Sequence, residues 1–165
     1  MISSDWAEKI SADRANLIGI SYNKLDCQAF VEYCLRKYAG IVKDWRGSND
    51  MWRNAVHDKS DDFTTIVPGE WVFTIKNDGK EPKRYTDGVN AAHVGIYIGN
   101  GNIIHSTTGG VQMDTTANTR RWTHHAKCNC LQYGDDADES PDYKQLYMSL
   151  YNGIADLIEK YKRSK

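Results

Sequence analysis

The sequence feature that most constrains the fold is a hairpin pattern at residues 93–106. Residues 93–98 read His-Val-Gly-Ile-Tyr-Ile, a run of apolar, β-branched and aromatic residues that predicts a strand. The next four residues, Gly-Asn-Gly-Asn, are typical of a hairpin connection, and residues 103–106, Ile-Ile-His-Ser, are the expected return strand. The chain is therefore expected to contain an antiparallel sheet.

Helical patterns precede this hairpin. Residues 5–18 show a moderate helical pattern, and a firmer one begins at Asp26, where apolar side chains recur at three- and four-residue spacing. Asp26 is a competent N-cap for this second helix, and Gly40 is its expected end. A last helical pattern, with one apolar face, covers about residues 142–162.

Strand patterns follow the early helices. Three strands are expected in addition to the hairpin, over residues 70–75, 111–113 and 126–133. The fold class is therefore α+β, with N-terminal helices packed on an antiparallel sheet and an extra C-terminal helix. Two polar stretches interrupt these elements, residues 44–64, which contain one short helical pattern, and residues 76–90.

Length and charge bound the number of domains and the class of partner. The chain has 165 residues, the size of one domain, so residues 1–165 are expected to form a single unit. Its 21 basic and 22 acidic residues give a net charge of -1, which predicts no electrostatic footprint for nucleic acid. No run approaches the roughly 18 consecutive apolar residues of a membrane span. Residues 1–10 lack the apolar segment of a secretory signal, so either the protein starts in a cytoplasm or a signal has been trimmed.

Cys27 is the candidate nucleophile because it lies in the first turn of the helix that begins at Asp26. The helix dipole and the unpaired backbone N–H groups favour a thiolate there, which lowers the pKa of the thiol. The same N–H groups can form an oxyanion hole for a tetrahedral intermediate. By position alone, the alternative is that Cys27 fills the core, as cysteines usually do.

His93 and His105 are the candidate base and the residue that orients it, since a nucleophilic thiol needs both partners. Counting outward from the hairpin connection pairs Ile98 with Ile103. Ile96 then faces His105, and strict alternation puts His93 on the opposite face of the sheet. A β-bulge or a register change of one residue would restore a common face.

The remaining histidines and cysteines are expected to be structural or surface groups, and they are His57, His124, His125, Cys34, Cys128 and Cys130. A metal site built from the adjacent histidines and the last two cysteines is disfavoured for two reasons. Adjacent histidines on a strand point to opposite faces, and Cys128-Asn129-Cys130 lacks the two-residue gap of common zinc sites. We therefore expect no metal site. We expect the thiols to be mostly reduced, with Cys34 in the core.

Four segments of the chain follow one known pattern. They are residues 25–31 (Leu-Asp-Cys-Gln-Ala-Phe-Val), 68–73 (Pro-Gly-Glu-Trp-Val-Phe), 92–101 (Ala-His-Val-Gly-Ile-Tyr-Ile-Gly-Asn-Gly) and 104–106 (Ile-His-Ser). In order, these segments resemble the Asp-Cys-Ser-Gly, Pro-Gly-Asp-Leu-Val-Phe, His-Val-Gly-Ile-Tyr and Ile-His-Ala segments of the NlpC/P60 family of cysteine peptidases. The resemblance covers about residues 15–133.

This resemblance implies a papain-like α+β fold and a cell-wall peptidase. Cys27 would attack the amide carbonyl, His93 would take and return the thiol proton, and His105 would orient the ring of His93. The implied partner is a peptidoglycan stem peptide, cut between D-γ-glutamyl and a diamino acid, and no metal or organic cofactor is implied. The candidate substrate-binding residues are Tyr22, Asp26 and Ser106.

The chain also departs from the family pattern. Gln28-Ala29 stands where the family has Ser-Gly, which adds bulk at the start of the helix. Tyr22, expected to help the backbone N–H of Cys27 stabilise the oxyanion, lies nearer to the cysteine than the family's tyrosine. The polar stretches at residues 44–64 and 76–90 are insertions that are expected to form the walls of the cleft.

Two other functions are compatible with the same residues. A CHAP-type amidase, an amidase for a smaller peptide or a lipid acyltransferase would also use Cys27 and His93. A non-catalytic wall-binding or structural module is the other alternative, and the presence of Cys27, His93 and His105 together argues against it. The C-terminal helix either packs on the core or docks a partner or a second copy. Signal-free wall hydrolases similar to this chain are frequently phage or mobile-element products that act at the cell wall.

Overall fold

The computed structural model describes residues 1–134, and the helices lie in the first half of this range. They are α1 (Ser3–Ala12), α2 (Arg14–Leu17), α3 (Cys27–Cys34) and α4 (Ser48–Asn54). Helix α3 continues into one π-helical turn, Leu35–Ala39, which ends at Gly40 with a φ of 69°. Glycine adopts this left-handed conformation without strain, so the predicted end of the helix is confirmed.

Helix α3 begins where the sequence predicts because Asp26 caps it. Oδ1 of Asp26 accepts a hydrogen bond from the backbone N–H of Ala29 at 2.8 Å. An N-cap of this kind stabilises a helix by about 1 kcal/mol. The apolar side chains of the helix, among them Phe30 and Cys34, are fully buried. The cap and the buried face together fix Cys27 as the first residue of α3.

Six strands form one antiparallel sheet in the order β1-β6-β2-β3-β4-β5. They are β1 (Val56–Ser60), β2 (Trp71–Lys76), β3 (Asn90–Gly99), β4 (Asn102–Thr107), β5 (Gly110–Thr115) and β6 (His124–Cys128). The α+β class with an antiparallel sheet is therefore confirmed. Strand β1 was not predicted, because its residues are mostly polar and only pairing with β6 holds them extended. Strand β6 ends at Cys128 and does not reach the predicted residue 133.

One face of the sheet carries the main hydrophobic core. Helices α1, α3 and α4 all pack against β3 on this face. Phe30, Val94 and Ile96 are fully buried between the helices and the sheet. Burial of a side chain of this size contributes about 1.5–3 kcal/mol. The packing of α3 on β3 therefore brings the start of α3 close to the middle strands.

The opposite face of the sheet carries a smaller cluster. Val72, Tyr97, Ile103 and Trp122 are buried together there. Trp122 belongs to the segment that joins β5 to β6. Its indole ring therefore lies over the β3–β4 hairpin on the side away from α3.

The register of the β3–β4 hairpin differs by one residue from the predicted register. Tyr97 pairs with Ile103, and Gly99 pairs with Asn102, so Ile98 is an extra residue in β3. Gly99 accommodates this β-bulge with a φ of 91°, which residues with a side chain rarely adopt.

The bulge puts the two candidate histidines on one face of the sheet. Beyond the bulge, the register continues so that His105 lies across from Gly95, and alternation puts His93 on the same face. The predicted pairing of Ile96 with His105 is wrong for this reason. A Cβ at Gly95 would lie 3.0 Å from Cβ of His105 and 2.9 Å from Cη2 of Trp122. The absence of a side chain at Gly95 therefore allows both rings to approach β3.

The predicted C-terminal helix, about residues 142–162, lies outside the described residues. Residues 1–133 form one compact unit, and the assignment of residues 1–165 to a single domain stays a prediction. Within residues 1–134, no helix is long and apolar enough to cross a membrane.

Candidate active site

Cys27 lies at the start of α3, which packs against β3 and β4. The residue is buried, with 9% of its surface exposed. The backbone N–H groups of Val94, Gln28 and Cys27 itself lie near the sulfur and lower the pKa of the thiol. The start of α3 therefore holds Sγ against the backbone of β3, one residue away from His93.

Burial raises the pKa of the Cys27 thiol, which is opposite to the direction expected from the helix start. The carboxylate of Asp26 adds to this increase, and the backbone N–H groups offset it only in part. The free energy lost by removing a thiolate from water is larger here than the stabilisation that the backbone N–H groups at the helix start provide. The resting sulfur is therefore a neutral thiol that needs a base to take its proton.

His93 and His105 are joined by a hydrogen bond of 2.8 Å between Nε2 of His93 and Nδ1 of His105. His105 is fully buried, whereas His93 is partly exposed. The indole ring of Trp122 lies beside both imidazoles, with centroid distances of 5.5 Å to His93 and 5.1 Å to His105. Because Nε2 of His93 takes part in this hydrogen bond, Nδ1 is the ring nitrogen that is free to accept a proton.

Burial lowers the pKa of His93 to about 3 and the pKa of His105 to about 4. A charge on His105 would lower the pKa of His93 further, and the nearby Arg121 lowers both values. The carboxylate of Asp114 opposes these effects without reversing them. Both imidazoles are therefore neutral at neutral pH.

A carboxylate that the sequence analysis missed lies behind His105. Oδ2 of Asp114 is 3.9 Å from Nε2 of His105 and 3.9 Å from Nε of Arg121. The carboxylate accepts hydrogen bonds from Nε1 of Trp122 at 3.1 Å and from Nδ2 of Asn118 at 2.9 Å. Only the pairing of β5 with β4 brings this group to His105.

A cavity of about 530 Å³ opens beside His93. Tyr22 also lines it, at the side of Cys27. Three cations belong to its lining, Lys76, Arg120 and Arg121. Within the part of the chain that the structure describes, no carboxylate lines this cavity. The arrangement can therefore receive an anionic ligand next to the histidine pair.

The wall of this cavity differs from the expected wall. Lys76 is its one lining residue from the predicted insertion at residues 76–90, and none of the described residues 44–64 lines it. Asn118, Arg120 and Arg121, which follow β5, line it instead. Residues 44–64 pair with and pack against other parts of the fold and do not line this cavity.

The predicted substrate-binding residues have different environments. Tyr22 lies near Cys27, and burial raises the pKa of its hydroxyl, to which negative charge on Cys27 or Asp26 adds. Asp26 is exposed and uses one carboxylate oxygen to cap α3. Ser106 is fully buried, and its hydroxyl donates a hydrogen bond to the backbone oxygen of Leu25 at 2.5 Å. The hydroxyl of Ser106 therefore ties β4 to the segment that enters α3, and its contact with substrate stays a prediction.

Comparison with protein families assigns this fold and site to a known group. The family model of the NlpC/P60 family matches residues 16–129, which is well over half of the chain. The chain belongs to the NlpC/P60 family. Comparison with curated proteins gave no match.

The fold of this NlpC/P60 chain is similar to those of several solved structures. The NlpC/p60 domain of the peptidoglycan hydrolase SagA has 18% identity and a TM-score of 0.53, over 73% of this chain and 97% of that chain. The P60 domain of an antigen from M. avium subspecies paratuberculosis has 17% identity and a TM-score of 0.52, over 74% and 93%. NlpC2 from Trichomonas vaginalis has 17% identity and a TM-score of 0.54, over 74% of this chain and 46% of that chain. At these identities the likeness shows the papain-like fold alone, and this chain spans about half the length of the Trichomonas protein.

Gln28 is the residue by which this NlpC/P60 chain departs from the expected Ser-Gly after the cysteine. Its Nε2 donates hydrogen bonds to Oε1 of Glu32 at 2.7 Å and to the backbone oxygen of Trp45 at 2.5 Å. The backbone N–H of Trp45 donates to the same Oε1 at 2.8 Å. The longer side chain therefore fastens the segment before α4 to the first turn of α3.

The adjacent histidines of this NlpC/P60 chain lie apart from the histidine pair. Nδ1 of His125 is hydrogen-bonded to Oε2 of Glu70, and Nε2 lies 3.0 Å from the backbone oxygen of Asp62. The His124 ring packs against Trp52, with centroids 5.6 Å apart. Among residues 1–134, no three His, Cys, Asp or Glu side chains form a group that could hold a metal ion.

The four cysteines are free thiols. Cys34 is fully buried in the core, as predicted, and burial raises its pKa well above the ordinary value. The backbone N–H of Cys130 donates to Sγ of Cys128 at 3.3 Å, so these two residues form a turn at the end of β6.

Proposed function

We propose that this protein is a cysteine peptidase that cuts amide bonds in the stem peptides of bacterial cell walls. Cys27 is the nucleophile, His93 is the base, and His105 orients the ring of His93. The bond is the one that the family resemblance implies, between D-γ-glutamyl and a diamino acid. The site of action is the cell wall.

The observation that carries the proposal is the 2.8 Å hydrogen bond between Nε2 of His93 and Nδ1 of His105. It orients the His93 ring beside the cavity and leaves Nδ1 to accept the thiol proton. Because burial keeps His93 neutral and Cys27 protonated, the two groups have the protonation states that general-base catalysis requires.

In the first half of the proposed reaction, Sγ of Cys27 attacks the amide carbonyl carbon while Nδ1 of His93 takes the thiol proton. The backbone N–H of Cys27 and the hydroxyl of Tyr22 stabilise the oxyanion. The C–N bond then breaks, and the proton passes from Nδ1 to the leaving amine. The acyl half of the peptide remains on Cys27 as a thioester.

In the second half, water attacks the thioester carbonyl, and Nδ1 of His93 takes one of its protons. The C–S bond breaks, and that proton returns to Sγ of Cys27. The products are a free amine and a free carboxylic acid, and the thiol and the imidazole are regenerated. This sequence needs no oxidant, reductant or cofactor.

The charge of the cavity supports an anionic peptide as the substrate. Lys76, Arg120 and Arg121 line the cavity, although the whole chain has a net charge of -1. A γ-linked glutamyl residue keeps its α-carboxylate free, so it carries a negative charge beside the scissile bond. Attraction between such a carboxylate and fixed cations strengthens as the cleft excludes water.

The proposal is tested by mass spectrometry of purified muropeptides after incubation with the protein. Stem peptides with different third residues are compared, each with the glutamyl α-carboxylate either free or amidated. The expected result is a single new cleavage after the D-γ-glutamyl residue, faster for the free carboxylate. Cys27→Ala is expected to form no product, while Cys130→Ala, the matched cysteine control, keeps full activity.

Two results would overturn the proposal. Full hydrolysis by Cys27→Ala would exclude the proposed nucleophile. Absence of product from every stem peptide would exclude the proposed substrate and favour another thiol hydrolase, an acyltransferase or a non-catalytic module.

A further inference from the structure

We propose that Asp114 is a positioning residue of this site, whose carboxylate fixes the tautomer of His105 and, through His105, the tautomer of His93. The inference rests on the proposed function, because it gives Asp114 a part in the same proton transfer. A chain of polar contacts would then extend from the thiol through the two imidazoles to the carboxylate, while the proton itself moves only between Cys27, His93 and the leaving group.

The starting observation is a buried nitrogen that has no partner. Nε2 of His105 makes no hydrogen bond to any of the described residues, and His105 is fully buried. An unsatisfied buried polar atom is rare and calls for a specific reason. The carboxylate of Asp114 faces this atom, with Oδ2 at 3.9 Å. This separation exceeds a hydrogen bond, and catalytic hydrogen bonds often shorten only when the substrate is bound.

The carboxylate of Asp114 is held in place on two sides. Nε1 of Trp122 donates a hydrogen bond to Oδ2 at 3.1 Å, and Nδ2 of Asn118 donates to the same oxygen at 2.9 Å. Only 18% of the Asp114 side chain is exposed. Trp122 also contacts both imidazole rings, so the group that anchors the carboxylate is packed against the rings that the carboxylate would orient.

The tautomers follow from which nitrogens are used. A carboxylate facing Nε2 of His105 keeps the proton on that nitrogen, which makes Nδ1 of His105 a hydrogen-bond acceptor. The 2.8 Å hydrogen bond then requires that Nε2 of His93 be the donor. His93 therefore presents an unprotonated Nδ1, the form that can take the proton of Cys27. With the opposite tautomer of His105, Nδ1 of His93 would carry the proton and could not act as a base.

The charges around the pair explain why Asp114 orients His105 without protonating it. Asp114 and Arg121 are the charged side chains that act on His105. Burial and Arg121 lower the pKa of His105, and Asp114 opposes them. Oδ2 of Asp114 lies 3.9 Å from Nε of Arg121 and 3.9 Å from Nε2 of His105, so the carboxylate faces both a cation and a neutral ring. The carboxylate therefore fixes the tautomer of His105, and the ring stays neutral.

The experiment compares Asp114→Ala with Asp114→Asn in the full chain. In Asp114→Asn, Trp122 and Asn118 hold the amide oxygen in the position of Oδ2, so an acceptor still faces His105. We expect Asp114→Ala to lower kcat on stem peptides about 10- to 100-fold with little change in KM, as removal of an outer partner of a histidine does. We expect Asp114→Asn to recover most of this loss.

Two measurements that need no substrate accompany the kinetics. Two-bond proton–nitrogen correlation spectra report which ring nitrogen of each histidine carries the proton. We expect the proton on Nε2 of both His93 and His105 in the unmodified protein, and a mixture of tautomers in Asp114→Ala. The rate of Cys27 alkylation, followed by peptide mass spectrometry, is expected to fall in Asp114→Ala by the same factor as kcat.

The matched control is Glu70→Gln, which alters the other buried carboxylate that faces a histidine of this sheet. It is expected to lower the thermal midpoint without changing the tautomers of His93 and His105. A proton on Nδ1 of His105 in the unmodified protein, or unchanged tautomers and kcat in Asp114→Ala, would overturn the role of Asp114. If no stem peptide is cut at all, the spectra and the alkylation rates still decide this role separately from the proposed function.

Discussion

Two buried histidines of the same sheet each face a carboxylate, but the distance between the ring and the carboxylate differs between the two pairs. His125 is hydrogen-bonded directly to Glu70, whereas His105 stands 3.9 Å from Asp114. The exposed fractions of the two histidines are almost equal, at 2% and 0%. The difference between the pairs is therefore not a difference in burial.

The His125 pair is saturated with hydrogen bonds. Both ring nitrogens have a partner, Oε2 of Glu70 on one side and the backbone oxygen of Asp62 on the other. Burial lowers the pKa of His125, but the hydrogen bonds to Glu70 and to the backbone of Asp62, with the charges of both residues, more than offset this, so the net pKa is raised. Such a ring holds its proton and connects two parts of the fold.

The His105 pair is left incomplete. Nδ1 of His105 binds His93, Nε2 has no partner among residues 1–134, and burial with Arg121 lowers the pKa to about 4. A neutral ring with one unused nitrogen can respond when its neighbour gains a proton. The distance to the carboxylate and the presence of a nearby cation, Arg121, therefore distinguish the histidine suited to proton transfer from the structural one.

The largest expected effect comes from removing the proposed base. We expect His93→Ala to lower kcat/KM on stem peptides by about 10²- to 10⁴-fold, the usual contribution of general acid–base catalysis. His105→Ala is expected to lower it less, because the base itself remains. Steady-state kinetics and thermal midpoints of both variants provide the measurement, and the midpoints are expected to change little. A larger loss in His105→Ala would mean that the two roles are exchanged.

The next largest effect is expected from disrupting the structural pair, His125 and Glu70. We expect His125→Ala to lower the free energy of unfolding by about 3–5 kcal/mol, because it leaves Glu70 buried without a partner. The kcat of the folded fraction is expected to stay unchanged. Urea unfolding followed by tryptophan fluorescence measures this loss. The control is the double variant His125→Leu with Glu70→Leu, which is expected to recover much of the stability since no charge remains buried. A fall in kcat of the folded His125→Ala protein would contradict the division between the two pairs.

The smallest effect is the pH dependence of stability, in which the pairs have opposite signs. The pKa values of His93 and His105 are lowered, so their contribution is present above about pH 6.5 and is lost as the pH falls towards 4 and 3. The pKa of His125 is raised, so its contribution is fully present below about pH 6.5 and is lost as the pH rises from there through the raised pKa. Thermal midpoints measured from pH 4 to pH 9 should therefore decline on both sides.

Single variants separate the two declines. His105→Asn is expected to reduce the acid-side decline, and His125→Gln is expected to reduce the alkaline-side decline. An acid-side decline that is unchanged in His105→Asn would show that other groups cause it.

Much of the fold was predictable from short segments of sequence. The N-cap at Asp26, the end of the helix at Gly40 and the hairpin connection after β3 each depend on residues within one turn or one strand. The composition of such segments determines their local conformation. Strand β1 was missed because its polar residues are held extended by β6, which lies far along the chain.

The candidate site was predictable in its residue types but not in its arrangement. The sequence alone pointed to Cys27 and to two histidines on paired strands. It gave no sign that Ser106 is buried against Leu25, and it predicted the wrong direction for the pKa of Cys27. A helix start is a local feature, whereas the burial that raises this pKa is the sum of contacts from the whole fold.

The sequence by itself determined the α+β class, the cysteine at a helix start and the twelve-residue spacing between the two histidines. Only the tertiary structure decided that the histidines share a face, because an extra residue at Ile98 shifts the hairpin by one position. Only the structure brought Asp114 behind His105, through the pairing of β5 with β4. The reason is that side-chain alternation and helical periodicity are local, while register and distance between segments depend on packing that no single segment encodes.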